Sequence, residues 1–319
     1  MSLKKKLSII LRVCVSVGLL GGLIWLMRKD AANIGDILAA CNMWYLVAAI
    51  FVFCCNSLGL AWRLKVIFHG ENLYLSFAEC LQLTYMGYFF NNFMPTAVGG
   101  DVIKAHFSVK SPENRIRSYA SVMMDRLIGL YSFLVVAAFA IIVDGGRFQI
   151  AIIRPLVFSL LAGGVVIFAA LTNRRVAEMM ERFFAKIKLG KLGDRLDAVY
   201  KIVHDYRNRL DIVGKGLAIS IILQSVYFFT IYLFFLALGS SIGLGNLFLV
   251  MPVVTFISMI PSIGGLGVRE GAMVAFFSPL VGRDTSFAVS LLLLFGLFII
   301  SFVGGLTYLY WINFKRKKS

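Results

Sequence analysis

The chain has 319 residues, 60% of them hydrophobic and 15% charged, with a mean hydropathy of +0.85. Soluble domains carry roughly 25% charge, so the deficit excludes an ordinary water-soluble globule and makes lipid the solvent. The net charge of +16 does not describe a nucleic-acid binder, because the basic residues lie between apolar runs, where the positive-inside rule puts them.

From the N-terminus, Lys4–Lys6 precede an apolar stretch at about 7–27. It begins like a signal peptide, but it is about a span in length and lacks a small-residue cleavage site, so it reads as an uncleaved first span. Further simple spans are predicted at 43–62, 118–143, 150–171, 216–238 and 286–312, each able to cross roughly 30 Å of hydrocarbon. Two other apolar regions, 76–103 and 246–280, are interrupted. The first contains NNFMPTAVGGDVIKAH at 91–106, the second SMIPSIGGLGVREGAM at 258–273. Each break supplies a proline, a hydroxyl residue, paired glycines and then charges.

Charge decides how these two regions lie. If both dip in and return, the cytoplasmic side receives Lys4–Lys6, Arg63, Lys65, Lys104, Lys110, Arg115, Arg117, the basic residues between 174 and 215, and Lys315–Lys318. The other side keeps Arg28, Lys29, Arg147 and Arg283. If both cross fully, the 104–117 stretch and the 172–215 loop change sides with all their lysines and arginines. The bias favours re-entry, with both termini cytoplasmic. The expected fold is all-α: a polytopic helical membrane protein with six full spans and two oppositely oriented re-entrant helical hairpins, in one membrane domain over 1–319. Its halves, about 7–143 and 150–312, make an inverted repeat, a design that places a binding site near the midplane. The cytoplasmic loop 172–215 carries a helical stripe of Leu196, Val199, Val203, Tyr206, Leu210 and Val213. Such an amphipathic segment either lies on anionic headgroups or packs on the inner surface of the bundle; the pattern leaves both open.

The breaks are where chemistry is expected. Pro95 and Pro261 remove backbone donors, and Gly99, Gly100, Gly264, Gly265 and Gly267 admit conformations that other residues avoid. Broken backbone at membrane depth is tolerated beside a cavity or inside protein. A helix N-terminus exposed there attracts anions, with Thr96 and Ser262 adding hydroxyls and Asn92 flanking the first break. The ions follow: Asp101 and Lys104 after the first break, Arg269 and Glu270 after the second. Asp125 and Arg126 sit about 12 Å inside a span at 1.5 Å per residue. Neighbours in sequence point to different sides of a helix, so each needs its own partner, and the hairpin charges are the candidates. A purely structural ion network is the competing explanation. On the functional one, replacing Arg269 with alanine stops transport and leaves folding intact. The five cysteines and three histidines lack metal-ligand spacing, and there is no Walker A pattern; no cofactor, metal or catalytic residue is expected.

PTAVGGDVIKA at 95–105, MMDRLIGL at 123–130 and MIPSIGGLGVREG at 259–271 together resemble the membrane region of bacterial lysyl-phosphatidylglycerol synthases and the stand-alone, flippase-like proteins built from it. The likeness covers nearly the whole chain; Lys104 stands where such proteins more often carry arginine. In the two-part synthases a soluble domain aminoacylates the lipid and the membrane region is implicated in moving it between leaflets. The chain ends just after its last span, so the resemblance implies translocation rather than aminoacyl transfer. It further implies a bacterial inner (plasma) membrane, a lipid partner with an anionic headgroup, whether phospholipid or polyprenyl phosphate, and leaves room for a homo-oligomer. A small-solute or ion transporter shares the same hairpin logic, and a lipid-modifying enzyme would need a constellation the sequence lacks.

Overall fold

The structure is a computed structural model and describes residues 21–22, 31–94, 98–144, 153–172, 206–260, 262 and 264–315. The described residues form ten α-helices: α1 (Ala31–Ala39), α2 (Met43–Gly70), α3 (Phe77–Phe93), α4 (Gly99–Phe107), α5 (Arg115–Asp144), α6 (Ile153–Thr172), α7 (Leu210–Ala237), α8 (Leu244–Ile257), α9 (Val268–Val281) and α10 (Arg283–Tyr310). Among the described residues, four stretches are long and apolar enough to cross a membrane: Met43–Gly70, Pro112–Val143, Leu210–Ala237 and Arg283–Asn313. They match four of the six predicted spans. A fifth, 150–171, coincides with α6; the first, 7–27, lies outside the described residues except for Gly21 and Gly22.

The second span differs from its prediction. The apolar run stops near residue 62, but the helix continues to Gly70 because Leu64, Ile67 and Phe68 keep a helical stripe that is buried against α3 and α7. Arg63, expected in a cytoplasmic loop, is therefore inside the helix and buried.

Local sequence sets the remaining boundaries. Asn42 caps α2 by accepting from Trp44 N–H at 3.0 Å. Ser76 and Glu79 form a capping box that starts α3. Met94 ends α3 in extended backbone (φ −84°, ψ 139°), the conformation a following proline imposes. Each of α3, α4, α8 and α9 is short: even the 17 residues of α3 reach only about 25 Å at 1.5 Å per residue.

The core of the bundle is an antiparallel pair, α2 and α7. Gly59 lies under Leu223 and Gly70 under Ile212, while Asn42 N–H donates to Ala237 O at 2.7 Å, joining the start of one to the end of the other. α3 and α4 fold back on each other from the Gly70 end; α8 and α9 fold back on each other from the Ala237 end. The contacts of the first half recur in the second: α2 with α3 and α7 with α8, α4 with α5 and α9 with α10, α3 with α10 and α8 with α5. Small residues permit the closest crossings. At Gly304 a side chain would meet the Tyr85 carbonyl oxygen at 2.1 Å, which is how α10 comes to rest directly on α3.

The basic connections before α5 and before α7 lie at one end. Lys110 donates to Tyr74 O at 3.1 Å, and Arg209 pairs with Glu71 at 3.4 Å. Most of the amphipathic loop 172–215 falls outside the described residues. Its last part does not lie outward: Tyr206 is fully buried among Ile67, Met124 and Ile128, with Ile212 and Val213 packed beside it. That burial, followed by the nearby Glu71 carboxylate, pushes the Tyr206 phenol well above its ordinary pKa.

Candidate functional site

The tips of the two hairpins touch. Gly264, at φ +58° in the turn between α8 and α9, lies so close to the end of α3 that a side chain would meet the Asn92 carbonyl oxygen at 2.8 Å. Gly265 and Gly267 also have positive φ, +80° and +79°, so this turn needs the flexibility the sequence supplied. Pro95, Thr96 and Pro261 lie outside the described residues.

A cavity of about 350 Å³ is bounded by α2, α4, α5, α7 and α8, with Tyr88 from α3, Arg269 from α9 and Leu297 from α10. Its walls are mixed: Phe53, Tyr88, Phe133 and Tyr227 alternate with Asn56, Arg63, Asp101, Lys104, Asp125, Arg126 and Arg269. Five of the predicted residues thus meet at one place: Asp101, Lys104, Asp125, Arg126 and Arg269. They are brought there from two helices of the first half and one of the second.

Asp125 and Arg126 diverge, as neighbours on a helix must. Asp125 accepts from Arg63 Nε at 2.7 Å, and Arg63 Nη1 donates to Ser220 Oγ at 3.0 Å, so α2, α5 and α7 meet on one guanidinium. Gly129 makes room for it; a side chain there would lie 3.0 Å from Nη1. Arg126 turns the other way and donates to Asp101 Oδ2. Lys104 lies 3.7 Å from Asp101 Oδ1, one turn along α4, over the space left by Gly87.

The second hairpin answers its own charges. Arg269 Nε donates to Glu270 Oε1 at 3.1 Å, although the two are adjacent in sequence. The other oxygen of Glu270 accepts from Gly267 N–H at 2.7 Å. Of the hairpin charges expected to partner Asp125 and Arg126, Asp101 does so with Arg126, whereas Asp125 turns instead to Arg63; Arg269 faces the cavity and Glu270 stands behind it with no exposure.

Gly100 N–H at the start of α4 is already taken by Asn91 Oδ1 at 2.8 Å, and Gly267 N–H by Glu270. Gly99 and Gly100 are buried, and Gly100 lies against α3, where a side chain would meet the Gly87 carbonyl oxygen. Asn92 does not join the cavity wall either; its amide donates to Ser301 Oγ and to Leu297 O at 3.4 Å, tying α3 to α10. Ser262 is buried and donates to Ile260 O at 3.2 Å. These residues shape the tips, and the cationic side chains supply the charge.

The polar wall residues that were not anticipated include Arg63, Asn56 and Gln224. Asn56 is 5% exposed and its Oδ1 has no hydrogen-bond partner among the described residues. A buried acceptor left open calls for water or ligand. Gln224 donates to Gly129 O at 3.3 Å and Ser132 Oγ at 3.1 Å. The available signal was an amide in the middle of an apolar run, which is functional by default. Among the described residues, no three His, Cys, Asp or Glu stand close enough to hold a metal ion.

The family model for the lysylphosphatidylglycerol synthase TM region matches residues 9–306. The chain belongs to that family. It is an integral, multi-pass membrane protein of a group that also includes relatives known as UPF0104 membrane proteins. One, from Pyrococcus horikoshii, is 27% identical over 278 residues, covering 78% of this chain and 81% of the relative. Another, from Methanothermobacter thermautotrophicus, is 26% identical over 291 residues, covering 81% of this chain and 82% of the relative. A second protein of that organism is 28% identical over 217 residues, or 60% of this chain and 63% of the relative.

Proposed function

We propose that this protein moves a lipid with an anionic headgroup between the two leaflets, without catalysing a reaction. The barrier to such movement is the transfer of a charged headgroup through hydrocarbon, and a fixed polar cavity replaces the lost water. The supporting observation is the cluster of Lys104, Arg126, Arg63 and Arg269 around one cavity, where hairpins rooted at opposite ends of the bundle come together. Lys104 and Arg126 hold the phosphate; Asp101 keeps them ordered between turnovers. The tails stay in lipid while the head passes. Two re-entrant hairpins in an inverted repeat then open the cavity to each side in turn. The headgroup is that of a phospholipid or of a polyprenyl-phosphate lipid, and the setting is the cell membrane, with both termini cytoplasmic.

The test is reconstitution. Purified protein in vesicles is expected to speed the exchange of fluorescent phospholipid or polyprenyl-phosphate lipid between leaflets relative to empty vesicles. If neither lipid moves faster and neither binds, the translocation reading is lost, and movement of small solutes or ions instead would assign a transporter of that kind.

Topology has its own measurement. Single cysteines placed at Lys110 and Lys215 are expected to react with an impermeant reagent from the same, cytoplasmic face. Labelling from opposite faces would remove the re-entrant arrangement.

A further inference from the structure

The charge balance of the cavity narrows the headgroup, and this step rests on the translocation reading above. Among the described residues, the charged side chains on the wall are Arg63, Lys104, Arg126 and Arg269 against Asp101 and Asp125. Two of the cations are already answered. Arg63 is closed by Asp125, and Arg269 by Glu270 directly behind it. Lys104 and Arg126 remain, and they share one carboxylate, Asp101. One positive charge is left over.

Charge left unmatched in a partly buried cavity favours a counter-ion, whichever its sign. A headgroup bearing one negative charge closes the balance. A phosphomonoester, at about −1.5 to −2 near neutral pH, overshoots it and has to compete with Asp101 for the same two cations. We propose that the cavity is matched to a monoanionic phosphodiester headgroup, and that Asp101 sets this preference by holding one of the two available positive charges. In the empty cavity Asp101 is the counter-ion of both Lys104 and Arg126. When the phosphodiester arrives, the two anions divide the two cations between them.

The experiment compares two lipids with identical tails, phosphatidylglycerol and phosphatidic acid, for binding to the full chain in discs of uncharged lipid at pH 8. Wild type is expected to bind phosphatidylglycerol about tenfold more tightly, the step that one charge-assisted contact commonly makes. Asp101→Asn, which adds one net positive charge at almost unchanged shape, is expected to reverse the order; Asp101→Glu is expected to keep it. A wild type with no preference, or an Asp101→Asn variant with the original order, would overturn the proposal. The wild-type order stands as a test even if the asparagine variant fails to fold. Soluble glycerophosphoglycerol is the third probe. Binding as tight as the lipid's would mean that a free phosphodiester is the ligand, and would reject a lipid as the source. Binding with the expected order but no exchange between leaflets sinks translocation and leaves the charge matching. Exchange without the reversal does the opposite.

Discussion

Replacing Arg269 with alanine is expected to deplete folded protein as well as activity. Glu270 has no exposure, and Arg269 is its charge partner. Removing one member of a buried pair typically costs about 3–5 kcal/mol, because the other is stranded as an uncompensated ion. That is a large share of the 5–15 kcal/mol that commonly separates folded from unfolded states. The expected readout is a sharp drop in the monodisperse fraction after extraction in detergent, with a lower thermal midpoint. The double variant Arg269→Met with Glu270→Gln is expected to recover most of the yield, since glutamine still accepts from Gly267 N–H and no charge is stranded. Recovery of yield without lipid exchange would show that Arg269 also acts on the headgroup. Should Arg269→Ala fold as well as wild type, the buried pair is not what holds the α8–α9 turn. This outcome differs from the sequence expectation that Arg269→Ala spares folding, and the cause is Glu270, whose burial no spacing argument reveals.

Arg126→Ala combined with Lys104→Ala is expected to have the contrary profile. Arg126 has a side chain 25% exposed to the cavity and Lys104 14%, and water entering the cavity can meet the Asp101 carboxylate they leave behind. Folded yield is therefore expected to change little. Hydrogen bonds to charged groups are worth about 1.5–3 kcal/mol each, so losing both is expected to slow lipid exchange by at least about a hundredfold. The check is leaflet exchange in vesicles normalised to folded protein. Exchange within a factor of a few of wild type would take the phosphate-binding role away from these two cations. The two variants thus separate the cation that holds the fold from the cations that hold the ligand.

How much of this was legible beforehand depended on whether the signal was local. Pro95 and its glycines announced a break, and Met94 leaves the helix where proline requires it. Asp125 and Arg126 were bound to diverge, and Asp101 was the partner available to one of them. Charge placement grouped Lys110 with the basic loop before α7, and the described ends of both lie together. What escaped was non-local. Arg63 sits where an apolar run gives way to RLK, so it reads as a loop cation; only the continuing stripe of Leu64, Ile67 and Phe68 hinted that the helix goes on. The closing of the Gly100 N–H by Asn91 required knowing how α4 folds back on α3. Asn92 was expected at the cavity because it is polar and adjacent to a break, yet one step along a helix turns a side chain by about 100°, and that step points it at Ser301.

The ion pairs around the cavity share one property with a bearing on biogenesis. Arg63 with Asp125, and Asp101 with Lys104 and Arg126, are all complete by residue 126, before α7 is made. Arg269 with Glu270 belongs wholly to the later part of the chain. Among the described residues, links that cross from early to late segments at this level have at least one neutral partner: Asn92 to Ser301, Gln224 to Ser132, and the Arg63 guanidinium to the Ser220 hydroxyl. A nascent chain leaving the ribosome can therefore partition into lipid in two instalments, each with these ion pairs already formed, and dock the instalments afterwards through hydrogen bonds that have at least one neutral partner. None of these paired ions has to wait in hydrocarbon for a partner that has not yet been translated.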